Sequence, residues 1–247
     1  MNSSVGTLEP PNLVKLAGFD TPTICNAIEL FDVRPPTAGY MDRRIAACFP
    51  DLPPMVGYAA TATFRSAERA RQRDGNPDLS AGLLESLADL PGPAIVVFQD
   101  LDDPPAGATF GDGMCLTYKT FGAVGLITSG AARDLDAVRA LDFPCFSYGA
   151  VCGHGHCHIE SINVPVRVGG VTIHHGDLLH GDRNGVTTIP LEIAHVVPYA
   201  CSEYLKHEAL VLDPLRAGNT DIPGHQQAIA EMGRRLSKLT EELSSQL

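Results

Sequence analysis

The chain has 247 residues, of which 44% are hydrophobic and 19% are charged, and its formal net charge is −11. These values are typical of a folded globular protein and exclude disorder along the whole chain. The acidic balance argues against nucleic acid as the main partner, because proteins that bind its backbone usually carry a basic stripe. One or two local arginines can still bind a small carboxylate.

The N-terminus and the cysteines indicate a reducing compartment. The first residues lack the basic start and apolar core of a secretion signal, and no run approaches the roughly 18 apolar residues that cross a bilayer. The seven cysteines are an odd number without framework spacing, and most stand beside apolar residues. We therefore expect a cytoplasmic protein with free thiols and no membrane partner.

The first half of the chain alternates helices and strands. Residues 22–31 carry apolar positions at helical spacing, and Thr21 is the predicted cap before Pro22. A proline-rich connection precedes the next element, and residues 66–78 are interpreted as a loop or as a helix start near Pro77. The further elements predicted in this half are a strand over 55–66, an amphipathic helix over 79–90 and a buried strand over 94–100.

The second half continues this alternation and then changes character. The sequence predicts a helix opening on residues 111–113, a buried strand over 123–130, a short helix over 135–142 and a strand over 145–151. Beyond residue 162, the turn pairs Gly169-Gly170, Gly176-Asp177 and Asn184-Gly185 predict a β-rich layer. Residues 191–210 are expected to be helical on either side of Pro198, and a polar helix with a fraying end is expected over about 224–247. The prediction is one α/β domain over 1–247 with N- and C-terminal helical extensions.

Two short segments carry residues suited to chemistry. Asp112 stands at a predicted helix start, where the free amides of Gly113 and Met114 can bind an anion. About twenty residues later a buried strand ends in Arg133 and Asp134, at the end of a strand where α/β proteins commonly bind ligands. Arginine can fork onto a carboxylate or carbonyl oxygen, and aspartate is a hard ligand for Mg²⁺ or Mn²⁺. The alternative is that Asp134 merely caps the following helix.

Residues 110–149 resemble the signature block of the family of the regulator of ribonuclease E activity A, which also contains class II 4-hydroxy-4-methyl-2-oxoglutarate and 4-carboxy-4-hydroxy-2-oxoadipate aldolases. Residues 21–29, 56–64 and 165–190 resemble further parts of that family. The Gly-x-x-Arg-Asp end and the Gly-Asp-x-x-x-Gly-Asp-x-x-Gly-Val run occur together and in order. The match is therefore specific for the family and much less specific for an activity.

The resemblance implies an α/β/α swivelling-type fold, a homotrimer or homohexamer, and a site between subunits. It implies that Asp134 binds the divalent metal, that Arg133 binds the pyruvate oxygens and the developing enolate, and that Asp112 supports metal-bound water. The amides of Gly113 and Met114 would take the pyruvate carboxylate. The implied activity is cleavage of a 4-hydroxy-2-oxo acid to pyruvate with Mg²⁺ or Mn²⁺, with oxaloacetate decarboxylation as a side activity.

Several alternatives stay open. A non-catalytic regulator that binds a ribonuclease or helicase, and a lyase or hydratase for a sugar acid, both remain possible functions. A carboxylate from a neighbouring subunit is expected, with Glu192 and Glu203 as candidates, whereas Lys119 is expected to be a surface residue or a local ion-pair partner. The basic run Arg65, Arg69, Arg71 and Arg73 is interpreted as a solvated face or an anion-attracting patch.

The tract from Cys152 to His158 and the pair Asp177 and Asp182 also have two interpretations each. Imidazoles and thiolates suit zinc, but the tract is glycine-rich, so a loop lining the cleft is favoured. The two aspartates are expected to fix turns rather than to bind metal, since aspartate commonly bonds to nearby backbone amides.

Overall fold

The computed structural model describes residues 10–70 and 79–245. The chain divides into two compact units. One unit contains the segments up to Pro36 and from Pro190 onward, and the other is Thr37–Ile189. The single domain predicted over 1–247 stays a prediction.

The unit Thr37–Ile189 alternates strands and short helices. Its strands are β1 (Ala46–Ala47), β2 (Met55–Arg65), β3 (Ala94–Asp100), β4 (Ala108–Phe110), β5 (Ala123–Thr128), β6 (Ala131–Ala132), β7 (Cys145–Ser147), β8 (His158–Ile162), β9 (Val166–Val168), β10 (Val171–Ile173), β11 (Leu178–Asp182) and β12 (Gly185–Ile189). Its helices are α3 (Leu79–Ala88), α4 (Asp112–Thr120) and α5 (Leu135–Arg139). The predicted elements from residue 55 to residue 151 are thus confirmed in type, although the strand at 145 is short.

The main sheet has eight strands in the order β1-β7-β5-β3-β2-β11-β12, with β8 also paired to β2. Strands β2, β3, β5 and β7 are parallel, and β11 and β12 continue the sheet in antiparallel pairing. The late strands were expected to form a β-rich layer, and the structure shows that β11 and β12 extend the main sheet, because β11 pairs with β2. Strands β9 and β10 form a separate hairpin, which turns at Gly169 and Gly170 with φ of 55° and 81°, and β4 and β6 form another two-stranded sheet.

The central strands alternate their side chains between two apolar layers. Val96 and Phe98 of β3 belong to the layer that also contains residues of α3, α4 and α5, while Ile95 and Val97 belong to the layer that contains residues of the β9–β10 hairpin. Each of these four side chains is fully buried, which is worth about 1.5–3 kcal/mol apiece. A mixed α/β fold is confirmed, and the swivelling-type arrangement stays a prediction.

The other unit is helical, with α1 (Pro10–Leu16), α2 (Thr21–Glu29), α6 (Val197–Arg216) and α7 (Ile222–Ser244). The prediction of Thr21 as the α2 cap is wrong: the carboxylate of Asp20 accepts the amide of Thr23 at 2.9 Å, and Pro22 lies inside the first turn. Pro198 does not divide a helix as expected, because α6 begins beside it, where its missing N–H costs nothing. Residues 191–196 form turns.

Candidate active site

Two short parallel strands bring the predicted site residues to one place. Strand β4 pairs with β6, with Phe110 opposite Ala132, and the amide of Arg133 donates to the carbonyl of Phe110 at 3.1 Å. The carboxyl ends of the two strands therefore lie side by side. The segment containing Asp112 leaves one of them, and the segment containing Asp134 leaves the other.

Arg133 and Asp134 form an ion pair at this edge. The Nε atom of Arg133 lies 3.3 Å from Oδ2 of Asp134, and the two side chains are 35% and 36% exposed. An ion pair with this much solvent contact contributes less than about 1 kcal/mol to stability. Both groups keep access to solvent, so they remain able to bind a ligand.

The backbone of Asp134 is left-handed, with φ 54° and ψ 38°. This conformation costs an L-residue on the order of 1 kcal/mol, although aspartate and asparagine tolerate it better than most. The Asp134 carbonyl accepts the amide of Val138 at 2.9 Å and so begins α5, but within the described residues its carboxylate makes no capping hydrogen bond. The capping alternative is therefore wrong for the side chain, which pairs with Arg133 instead.

Gly111 is required for this contact. A β-carbon on Gly111 would overlap Oδ2 of Asp134 and lie 3.2 Å from Nε of Arg133. The absence of a side chain at position 111 thus leaves the space that the carboxylate and the guanidinium occupy. Gly111 therefore makes room for the ion pair.

Asp112 is the first residue of α4, and its carboxylate accepts a hydrogen bond from an amide in the first turn of that helix. Its Oδ1 accepts the amide of Gly113 at 2.8 Å, and both residues are exposed. That amide is one of the two predicted to take a substrate carboxylate. An anion that binds the Gly113 amide must therefore displace the Asp112 carboxylate from it.

A cavity of 300 Å³ lies beside the first turn of α4. It is lined by residues of β2, α3, α4 and the start of β8, namely Phe64, Ser80, Leu84, Gly113, Met114, Thr117, Tyr118, Cys157, His158 and Ile159. The predicted anion-binding amides of Gly113 and Met114 thus adjoin a mainly apolar space. The aromatic lining was missed by sequence reasoning, because nothing in the local pattern shows that β2 approaches α4.

The Cys152–His158 tract forms a loop leading into β8, as the favoured interpretation expected. The Nδ1 atom of His158 lies 2.8 Å from the carbonyl of His156, and its Nε2 lies 2.9 Å from Oε1 of Glu160. Both oxygens are acceptors, so the ring satisfies both contacts when it carries two protons. In the part of the chain that the structure describes, no group of three or more His, Cys, Asp or Glu side chains is placed to hold a metal, so the zinc alternative finds no support.

A network of hydrogen bonds fixes the end of β2 near this loop. The carboxylate of Asp102 accepts the amides of Ser66 at 2.7 Å and Ala67 at 2.8 Å, and it pairs with Arg65 at 3.1 Å. Burial alone would raise the pKa of Asp102, but these amides and Arg65 outweigh it, so the pKa lies below its ordinary value. The hydroxyl of Ser66 in turn accepts the amide of Gly107 at 2.8 Å, which ties the loop after β3 to β2.

We expect Asp102→Asn to lower the free energy of unfolding by about 2 kcal/mol at neutral pH, because hydrogen bonds to a charged group are worth about 1.5–3 kcal/mol. Since the folded-state pKa is depressed, this contribution is present above the unfolded pKa of about 3.9 and is lost as the pH falls through the folded value. Urea unfolding at a series of pH values between roughly 3 and 7 measures it. The exposed Asp103→Asn serves as the control, and an undiminished difference at the acid end would contradict the assignment.

A second cavity, of 310 Å³, lies where parallel strands β3 and β5 end. Its lining includes Asp100, Ser129, Tyr148 and Arg167. Asp100 is 8% exposed, and burial raises the pKa of its carboxyl. The acidic segment after β3 stands at the carboxyl end of a parallel strand, which is where open α/β sheets commonly form a crevice.

The other candidate residues have local roles. Asp177 accepts the amide of His174 at 2.7 Å and Asp182 accepts that of Asn184 at 2.8 Å, which confirms the turn interpretation. Lys119 is exposed and donates to the carbonyl of Leu141. Glu203 pairs with Lys206 at 2.6 Å, whereas Glu192 is exposed.

Arg65 is paired within the basic run, while Arg71 and Arg73, like the expected helix start near Pro77, lie outside the described residues. The seven cysteines all lie in the described ranges, and all are free thiols. Nowhere in residues 10–70 and 79–245 is a helix both long and apolar enough to cross a membrane.

Comparison with known proteins gives consistent matches. Residues 21–188 match the family described as RraA-like, aldolase/RraA. A Halalkalibacterium halodurans protein named "Putative 4-hydroxy-4-methyl-2-oxoglutarate aldolase" is 42% identical over 101 residues, which are 40% of this chain and 47% of that protein. A protein of the same name from Ectopseudomonas mendocina is 30% identical over 112 residues, 44% of this chain and 67% of its own length. The matched part thus spans about half of the first of these curated relatives.

Solved structures match over most of the chain. A crystal structure of Streptomyces coelicolor RraAS2, described as an unusual member of the RNase ES inhibitor RraA protein family, has a TM-score of 0.62 at 22% identity and covers 81% of this chain and 94% of its own. An uncharacterized protein from Pseudomonas syringae has a TM-score of 0.66 at 21% identity and covers 90% and 98%. At this identity the likeness concerns the fold alone.

Proposed function

Because the chain belongs to the RraA-like, aldolase/RraA family, we propose that it is a divalent-metal-dependent lyase that cleaves a 4-hydroxy-2-oxo acid and releases pyruvate. The observation that carries the proposal is the contact of Arg133 with Asp134, at 3.3 Å, beside the segment that begins with Gly111 and Asp112. A guanidinium and a solvent-accessible carboxylate at one point suit a reaction in which negative charge develops on a substrate oxygen.

The donors present in one chain fit magnesium or manganese better than zinc. The carboxylate of Asp134 is 36% exposed and its one ion-pair partner among the described residues is Arg133. Mg²⁺ is commonly held by one or two carboxylates while waters and substrate complete its shell, whereas structural zinc needs four protein ligands. When bound, the metal would supply Lewis-acid stabilisation of negative charge at the 2-oxo group.

The remaining roles, which are substrate binding and proton transfer, would be filled by residues of the chain itself. The guanidinium of Arg133 would bind the 2-oxo oxygen, which gains the electron pair of the breaking carbon–carbon bond. The amides of Gly113 and Met114 would hold the substrate carboxylate at the start of α4. As the carboxylate enters, it would release Asp112 from the Gly113 amide, and Asp112 would then be free to hold a water molecule and accept the proton of the 4-hydroxyl group.

The activity test is pyruvate release from 4-hydroxy-4-methyl-2-oxoglutarate and from oxaloacetate. We expect turnover with Mg²⁺ or Mn²⁺, loss of turnover in EDTA and recovery when metal is restored. An equal rate in EDTA would contradict the proposal. The alternative of a regulator that binds a ribonuclease predicts neither turnover nor metal affinity. The predicted homotrimer or homohexamer, with a further carboxylate from a neighbouring subunit, belongs to the same proposal.

Arg133→Lys is expected to lower kcat/KM by about 100-fold, because lysine keeps the charge but not the planar fork that binds two oxygens. Steady-state kinetics with saturating Mn²⁺ measures the effect, and Mn²⁺ affinity should change little. The matched control is Arg139→Lys, since Arg139 pairs with Asp51 at 2.6 Å and with Asp142 at 2.7 Å and has no predicted role in the site. Equal losses in both variants would argue against a substrate contact for Arg133.

A further inference from the structure

Helices α6 and α7 form an antiparallel hairpin outside residues 21–188, the part of the chain that matches the family. They are joined by the short connection 217–221, and they pack on each other. The hydroxyl of Tyr199, near the start of α6, donates to Glu242, near the end of α7, at 3.0 Å. The loop end of the hairpin therefore contains the end of α6 and the start of α7.

Both helices carry apolar residues at a seven-residue spacing. In α7 the positions are Ile222, Ile229, Leu236 and Leu243, with Met232 and Leu239 between them. In α6 they are Pro198, Leu205 and Leu212, with Cys201 between the first two and Leu215 after the last, while Glu208 stands between Leu205 and Leu212. This spacing keeps one stripe of a helix facing a partner helix over several turns. Sequence analysis described the C-terminal helix only as polar and missed the stripe, because polar and charged residues together outnumber apolar ones along it.

Burial along this stripe differs between the two ends of the hairpin. At the end away from the loop, Cys201 is 0%, Leu239 4% and Leu243 0% exposed. Leu239 and Leu243 therefore pack near the C-terminal end of α7, while the expected fraying of the chain end stays a prediction.

From the middle of α6 to the loop, the stripe is more open. The exposed fractions are 40% for Leu205, 45% for Leu215, 70% for Ile222 and 51% for Ile229. We call these four residues the open seam. Two helices alone leave such a stripe half covered, whereas four helices enclose it.

The charge of the hairpin argues against nucleic acid and anionic lipid as its partner. Helix α6 carries three acidic and two basic residues, a net charge of −1, and α7 carries three of each, a net charge of 0, although the whole chain is at −11. The charges are also paired along their own helices: Asp213 with Arg216 at 2.8 Å, and Glu231 with Arg234 and Arg235 at 2.7 and 2.8 Å. A nucleic acid or an anionic lipid surface would require a basic stripe, which this hairpin lacks within its described residues.

We propose that the open seam binds the same seam of a second copy of this chain, so that two hairpins form a four-helix interface with two-fold symmetry. Such an interface must be self-complementary. A two-fold axis through Ile229 with the two α7 helices antiparallel places Ile222 of one copy opposite Leu236 of the other. Apolar side chains then meet apolar ones, and no like charges meet on this stripe.

The test is the molar mass of the full chain in solution, measured by size exclusion with light scattering across a range of concentrations. Ile229→Glu and Leu215→Glu place a charge in the seam and should each halve the mass of the wild-type assembly. The same halving is expected if other contacts already join the subunits into a larger assembly. The open seam would then link two of these assemblies, and breaking it would separate them. Gln227→Glu adds the same charge to an exposed position outside the seam and should leave the mass unchanged.

Ile229→Ser removes the apolar contact without adding charge, and circular dichroism checks that helix content is kept in every variant. Should a charged variant unfold, the mass of Ile229→Ser decides the matter by itself. A wild type with the same mass as the seam variants would overturn the proposal, and so would an equal loss in Gln227→Glu. The readout does not depend on pyruvate release, so the two proposals can fail separately.

Discussion

Replacing Asp134 by asparagine is expected to reduce pyruvate release by about 100- to 1,000-fold while leaving the fold intact. Asparagine matches aspartate in shape and tolerates the left-handed backbone found here, with φ 54°. What the change removes is the negative charge that would hold the cation and that pairs with Arg133 at 3.3 Å. Alanine would be a poorer choice, since it would combine the loss of charge with backbone strain.

Two measurements separate the role of Asp134 from a structural one. Calorimetric titration with Mn²⁺ should show binding to the wild type and a large loss of affinity in Asp134→Asn, independently of turnover. Thermal unfolding without added metal should shift by only a few degrees, because an exposed ion pair contributes less than about 1 kcal/mol. Asp136→Asn, an exposed change in the first turn of the same helix, is the matched control. A variant that binds Mn²⁺ as tightly as the wild type would exclude Asp134 as a ligand.

Sequence patterns were sufficient to predict the local elements of this chain. The apolar run of β3 and the breaker residues around it identify a buried strand, and the hairpin turn Gly169-Gly170 needs the positive φ that glycine allows. The helix start at Asp112 follows from the glycines around it. These features depend on a few neighbouring residues, so local reasoning reaches them.

Features that depend on distant contacts could not be predicted in the same way. The pairing of β11 with β2 joins residues more than a hundred positions apart, and no local signal specifies it. The cavity beside α4 exists because Phe64, Tyr118 and His158 meet there from three separate segments. The side chain of Asp134 looked equally suited to a helix cap, and only the three-dimensional position of Arg133 and Gly111 decides between the two roles.

Gly111→Ala is expected to lower kcat by about 100-fold with little change in stability, because displacing catalytic groups by about 1 Å has an effect of that size. The added methyl group would overlap Oδ2 of Asp134 and press on Nε of Arg133. Both atoms belong to side chains that are about one third exposed, so they can move away and the fold survives. The ion pair that carries the proposed function would then be displaced as a unit.

Single-turnover kinetics, Mn²⁺ titration and urea unfolding of this variant together test whether the clearance at position 111 serves the site. Gly153→Ala is the matched control, because a β-carbon there meets no atom within 4 Å among the described residues. If Gly111→Ala kept full activity, the observed contact between Arg133 and Asp134 would not be the arrangement that binds substrate. If instead Gly111→Ala lost stability along with activity, the glycine would serve the packing of β4 on β6, because the fold itself would then depend on the same clearance.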